Sequence, residues 1–169
     1  MSSRLLKSLP FALGLCACGP DTSGTSGRFG LDVVMSRAVA NEVHALQVSV
    51  VKDGSRRNCT ELQRTCLNTQ VKREDLVVLE DSRGNEGRAL RFTVDLAAMQ
   101  NGGSQALAVD VPVGRDYALV IEALAVGSPS RFLGSSCNYL KVVNSGDNAP
   151  VVAAPLVLTE QSCDPSIAP

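Results

Sequence analysis

Four stretches of this chain alternate apolar and polar residues with a period of two, the pattern of a strand with one buried face. In Ala45–Val51, Leu46, Val48 and Val50 fall on one side, with Gln47 and Ser49 opposite. In Ala89–Leu96, Leu90, Phe92, Val94 and Leu96 alternate with Arg91, Thr93 and Asp95. Leu107, Val109 and Val111 do the same within Ala106–Val113, and Tyr117, Leu119, Ile121 and Ala123 within Tyr117–Ala125. Phe29–Met35, Val71–Glu80, Phe132–Leu140 and Val151–Leu158 are further candidate strands.

Turn-forming residues separate these runs: Lys52-Asp-Gly-Ser55, Ser82-Arg-Gly-Asn-Glu-Gly87, Asn101-Gly-Gly-Ser104 and Ser145-Gly-Asp-Asn148. Strands with one polar face, short turns and no crossover helices predict an all-β fold, an antiparallel β-sandwich of about seven to eight strands. Short helical turns are expected at Ala38–His44 and Thr60–Cys66, the first from the spacing of Val39, Val43 and Leu46.

Composition narrows the functional classes. With 44% hydrophobic residues the chain is too apolar to be disordered, and 16 Lys and Arg against 17 Asp and Glu leave no polyanion-binding excess. No nucleic-acid partner is expected. His44 is the single histidine, which leaves most histidine-based acid–base and metal chemistry short of parts. No Gly-x-Ser-x-Gly elbow, His-Glu-x-x-His pair or phosphate loop is present, so no catalytic residue and no cofactor are expected. A carboxylate pair assembled from distant strands, and with it a hydrolase, stays open at this level.

The first residues read as an export signal. Arg4 and Lys7 form a positive start, and Leu9-Pro-Phe-Ala-Leu-Gly-Leu15 a short apolar run. That run is far below the roughly 20 residues of a spanning helix. Then comes Leu15-Cys16-Ala17-Cys18-Gly19. A Leu three residues before a Cys, with a small Ala directly before it, resembles the lipobox of bacterial lipoproteins. The resemblance implies a diacylglyceryl group on the Cys18 thiol and cleavage before it, giving a signal peptide at 1–17. Cys16 is the poorer candidate, because Leu15 is too large for the position before the modified residue. Gly19, where that family often carries an inner-membrane Asp, implies the outer membrane. Residues 18–27 then comprise the lipidated Cys and a Gly/Ser/Thr tether, and 28–169 the β-sandwich.

A second resemblance lies in Val111-Pro-Val-Gly-Arg-Asp-Tyr117-Ala-Leu-Val-Ile-Glu-Ala123. It is similar to a strand–turn–strand of immunoglobulin-like and prealbumin-like sandwiches of bacterial surface proteins. It implies that Gly114 permits the turn and that Tyr117 buries its ring while its hydroxyl bonds nearby backbone.

With Cys16 removed and Cys18 lipidated, Cys59, Cys66, Cys137 and Cys163 remain. Four Cys in an exported chain read as two disulfides. Three pairings exist; Cys59–Cys66 with Cys137–Cys163 is favoured, stapling one loop and pinning the C-terminal tail. A metal site on these thiols with His44 is disfavoured, since Cys59 and Cys66 are too far apart for a ligand pair and no second close pair exists.

Two loops carry groups of charged or oxygen-bearing side chains. The segment Lys52–Arg73 holds Lys52, Arg56, Arg57, Arg64, Lys72 and Arg73 against Asp53 and Glu61, and reads as a solvated, stapled loop rather than an acidic-surface binder. Glu80, Asp81, Asn85 and Glu86 read as a hairpin turn rather than a calcium loop. Asn58-Cys59-Thr60 matches a glycosylation sequon only formally. His44 is expected at the surface or a strand edge. The resulting expectation is a non-catalytic protein anchored in the cell envelope by lipid, binding a protein or glycan partner through sandwich loops. Its alternatives are a structural accessory subunit of an outer-membrane or secretion assembly, and the hydrolase above.

Overall fold

The alternating segments pair into two sheets. The computed structural model describes residues 25–35, 37–95, 97, 104–159 and 162–167. The expected signal peptide at 1–17, Cys18, most of the expected tether and the turn residues 101–103 lie outside them. In chain order the elements are β1 (Ser26–Val33), α1 (Arg37–Ala40), β2 (Ala45–Lys52), α2 (Cys59–Leu62), β3 (Leu79–Asp81), β4 (Glu86–Gly87) and β5 (Leu90–Thr93). They continue as β6 (Gln105–Pro112), β7 (Gly114–Ala125), β8 (Arg131–Val143), β9 (Gly146–Asp147), β10 (Val151–Val152) and β11 (Val157–Leu158).

One sheet runs β10-β1-β6-β3-β4, with β9 also on β1; the other runs β11-β8-β7-β2-β5. The long ladders are antiparallel. β1 meets β6 from Ser26↔Pro112 to Val33↔Gln105, and β2 meets β7 from Ala45↔Leu124 to Lys52↔Tyr117. The all-antiparallel expectation needs correction at one edge, where β9 and β10 pair with β1 in parallel.

Between the sheets lie Phe29, Leu31 and Val33 of β1, Leu107, Val109 and Val111 of β6, Leu46, Val48 and Val50 of β2, and Leu119, Ile121 and Ala123 of β7, all buried. Each large side chain contributes about 1.5–3 kcal/mol relative to exposure. For β2, β6 and β7 these are the inward positions that the alternation predicts.

The outer face of the second sheet is not solvated. In β7 every residue from Ala118 to Ala125 is buried, on both faces. Val51, Ala118, Val120 and Cys137 pack there against Leu62, Leu67, Val71 and Leu76 from the segment between β2 and β3. That segment contains α2 and three 3₁₀ turns, Gly54–Arg56, Leu67–Thr69 and Arg73–Asp75, and forms a cap over the sheet. A third layer thus covers the sandwich. The strand expected at Val71–Glu80 exists only as Leu79–Asp81. Its first half contains Lys72-Arg73-Glu74-Asp75, four charges in succession that no half-buried strand can alternate inward.

The four cysteines form two disulfides, but Cys59 bonds Cys137 and Cys66 bonds Cys163. The favoured pairing is corrected. α2 separates Cys59 from Cys66, so the first reaches β8 and the second the C-terminal tail. The closed spans are 78 and 97 residues. Loop closure of that length is worth about 4–5 kcal/mol per bond on the chain-entropy model.

Candidate functional site

Glu122 stands in the middle of the apolar run of β7, a carboxylate only 1% exposed. Its register neighbours are polar as well. Arg91 faces Gln47, Gln47 faces Glu122 and Glu122 faces Ser135, making one row across β5, β2, β7 and β8. Gln47 Nε2 donates to Glu122 Oε2 at 2.7 Å and to the Pro165 carbonyl at 2.9 Å. Gln47 Oε1 accepts from Arg91 Nε at 2.8 Å, which fixes the amide's orientation. The Leu67 backbone N–H donates to Glu122 Oε1 at 2.9 Å.

Burial pushes the Glu122 carboxyl above its ordinary range, and the Leu67 and Gln47 hydrogen bonds and Arg91's charge oppose that only in part. The tail is held further by Asn68, whose Nδ2 donates to the Asp164 and Ser166 carbonyls, both at 2.8 Å. The hydroxyls of Ser49 and Ser135 are buried beneath the cap without a hydrogen-bond partner. Chemically, the row is one carboxylate between amide and backbone donors, sealed by Leu67 and Pro165. It fastens cap and tail to the sheet.

The sequence-predicted positions fall elsewhere. His44 is exposed just before β2, between two strands rather than at an edge: its backbone N–H donates to Leu124 O at 2.7 Å and its carbonyl accepts from Val94 N at 3.1 Å. The Glu80–Glu86 loop joins β3 to β4 as a hairpin; Asp81 accepts from the Arg83 and Asn85 N–H groups and from Asn85 Nδ2. The Asn85 bonds hold its carboxyl below the usual range. Among the described residues no cluster of three or more His, Cys, Asp or Glu is placed to hold a metal. Asn58 caps α2 through Thr60 N at 2.9 Å. In the basic loop, Arg57 pairs with Asp75 at 2.8 Å and Lys52 Nζ donates to Glu74 O at 3.0 Å.

At the β6–β7 corner the left-handed residue is Asp116, at φ 64°, rather than Gly114. Gly114 instead leaves room for the Tyr117 ring, which a Cβ there would strike. The tyrosine whose hydroxyl bonds backbone is Tyr139: it donates to Arg57 O at 2.8 Å and accepts from Cys59 N at 3.1 Å.

Two surface depressions flank the row. A groove of about 590 Å³ separates Gln63 and Arg64 of the cap from Val157 and Leu158 of β11. A cleft of about 340 Å³ opens between β5 and β6, lined by Ser82, Arg83, Phe92 and Gln105 among others. The tether joins at one end of the sandwich, where Val113 N donates to Thr25 O at 2.9 Å. The α1 region and the β7–β8 turn at 126–130 lie at the other end.

The residues define a mostly β protein of two facing sheets with a disulfide-fastened cap. No family model, curated protein or solved structure matches the chain. Among the described residues no helix is long and apolar enough to cross a membrane.

Proposed function

We propose that this chain is a lipid-anchored cell-envelope protein that binds a protein or glycan partner through the loops at the end of the sandwich farthest from its anchor. The lipobox-like Leu15-Cys16-Ala17-Cys18 supports the anchor at Cys18, on the outer membrane. The Val113–Thr25 hydrogen bond carries the orientation: the tether meets the body at the β6–β7 corner. The 12 residues of β7 then put the β7–β8 turn about 40 Å farther out. The two facing sheets support a sandwich of immunoglobulin-like or prealbumin-like type, in which loop ends serve binding without catalysis.

Intact mass of protein extracted from membranes is the first test. A mass fitting residues 18–169 plus acyl chains supports the anchor, and an unlipidated mass removes it. Crosslinking in whole cells from Val126, in the β7–β8 turn, then captures the partner. A stoichiometric complex surviving mild detergent, held through sheet edges rather than these loops, would mark an accessory subunit instead.

A further inference from the structure

We infer that the β6–β7 end of the domain is itself a membrane-contact surface, on which Val113 and Val142, flanked by Arg115 and Lys141, rest against phosphate-bearing lipid headgroups. This rests on the anchor proposed at Cys18.

Two observations carry it. The first is reach. Only six residues, Gly19 to Gly24, separate Cys18 from Thr25. Fully stretched, that connection reaches at most about 25 Å. Thr25 is bonded to Val113, so the corner is confined close to the bilayer at an effective concentration on the order of millimolar. Contacts too weak to hold a free protein suffice under that confinement.

The second is chemistry at the tip. Val113 and Val142 are 46% and 56% exposed. Val142 is in register with Arg115, and Gly114 with Val143, so both valines belong to one corner of the β7–β8 ladder. Arg115 and Lys141 are exposed beside them. Aliphatic groups fringed by cations suit an interface whose outermost charges are phosphates.

The test uses the lipidated protein extracted from membranes, with a photoreactive residue at position 113, 142 or 126, reconstituted in phosphatidylcholine vesicles with or without 30% phosphatidylglycerol. Positions 113 and 142 are expected to give at least tenfold more lipid adduct than 126, although Val126 is 76% exposed. Arg115→Glu with Lys141→Glu should lower the yield at position 113 at least threefold on the anionic vesicles and less on the neutral ones. Equal yields at all three positions, in protein whose mass shows the acyl chains, would overturn the contact surface and leave the anchor standing. Protein adducts in place of lipid adducts at position 113 in cells would overturn it in favour of a protein interface. Missing acyl chains would remove the anchor, and the surface with it.

Discussion

Gln47 and Glu122 face each other across β2 and β7, Nε2 to Oε2 at 2.7 Å, both of them buried. The pair joins three parts of the chain that are distant in sequence. Gln47 also reaches Pro165 of the tail, and Glu122 also receives Leu67 of the cap. A buried carboxylate is costly unless it is well bonded, so this one makes cap, tail and sheet depend on each other.

Its titration sets a pH dependence whose sign is fixed. The folded-state pKa of Glu122 lies above its ordinary value of 4.5, chiefly through burial. Its stabilising contribution is fully present below the unfolded pKa and is lost as pH rises through the folded one. Stability should therefore fall between pH 4.5 and the raised value, by up to about 1.4 kcal/mol per pH unit. Asp81 and Asp164, lowered chiefly by hydrogen bonds from Asn85 and Ser166, act the other way and only at more acid pH. Urea denaturation from pH 4 to 8 reads the slope, and Glu122→Gln should flatten it. A slope unchanged in the variant would remove Glu122 as its source.

Asn68→Ala should loosen the tail before it touches the sandwich. Two hydrogen bonds to the Asp164 and Ser166 carbonyls are lost, worth about 1–3 kcal/mol together. Hydrogen exchange should rise at 66–70 and 162–167, with β1 and β6 unchanged. Uniform exchange across the molecule would show that the clamp is not local.

Two glycine substitutions should differ sharply. A Cβ on Gly54 would lie 2.5 Å from the Tyr117 carbonyl carbon and oxygen, backbone atoms that cannot swing aside. Gly54→Ala is expected to cost about 2–3 kcal/mol. At Gly30 the nearest atom is 3.9 Å away, and Gly30→Ala should be neutral or stabilising by about 0.5 kcal/mol. Thermal melts of the two variants decide it; equal midpoints would contradict the close approach of the 3₁₀ turn to β7.

Peptide mapping without reduction should yield crosslinked fragments joining Cys59 to Cys137 and Cys66 to Cys163. A fragment joining Cys59 to Cys66 would count against this arrangement.

Much of the sandwich was legible because β2, β6 and β7 overlap the expected strands and present the expected faces, and β1 and β8 overlap segments expected to be strands. The cap was not. Its hold on the sheet is irregular, through Leu62, Leu67 and Leu76, and irregular packing has no period to read. One signal was present: Ala118–Ala125 is apolar at almost every position, the mark of a strand covered on both sides. The fastening row left no such trace. Gln47, Arg91 and Glu122 lie on three strands, and only register brings them together. The tail is gripped by its carbonyls, which every residue possesses.

The two disulfides overlap along the chain, 59 to 137 and 66 to 163. In N-terminus-first synthesis Cys59 and Cys66 emerge together, before either native partner. The short loop between them closes at the least entropic cost, so premature oxidation favours the wrong bond. Correct maturation must then await Cys137 and Cys163 or proceed through thiol–disulfide exchange. Refolding yield should therefore depend on the timing of oxidation, and refolding without a disulfide isomerase should accumulate the mispaired form.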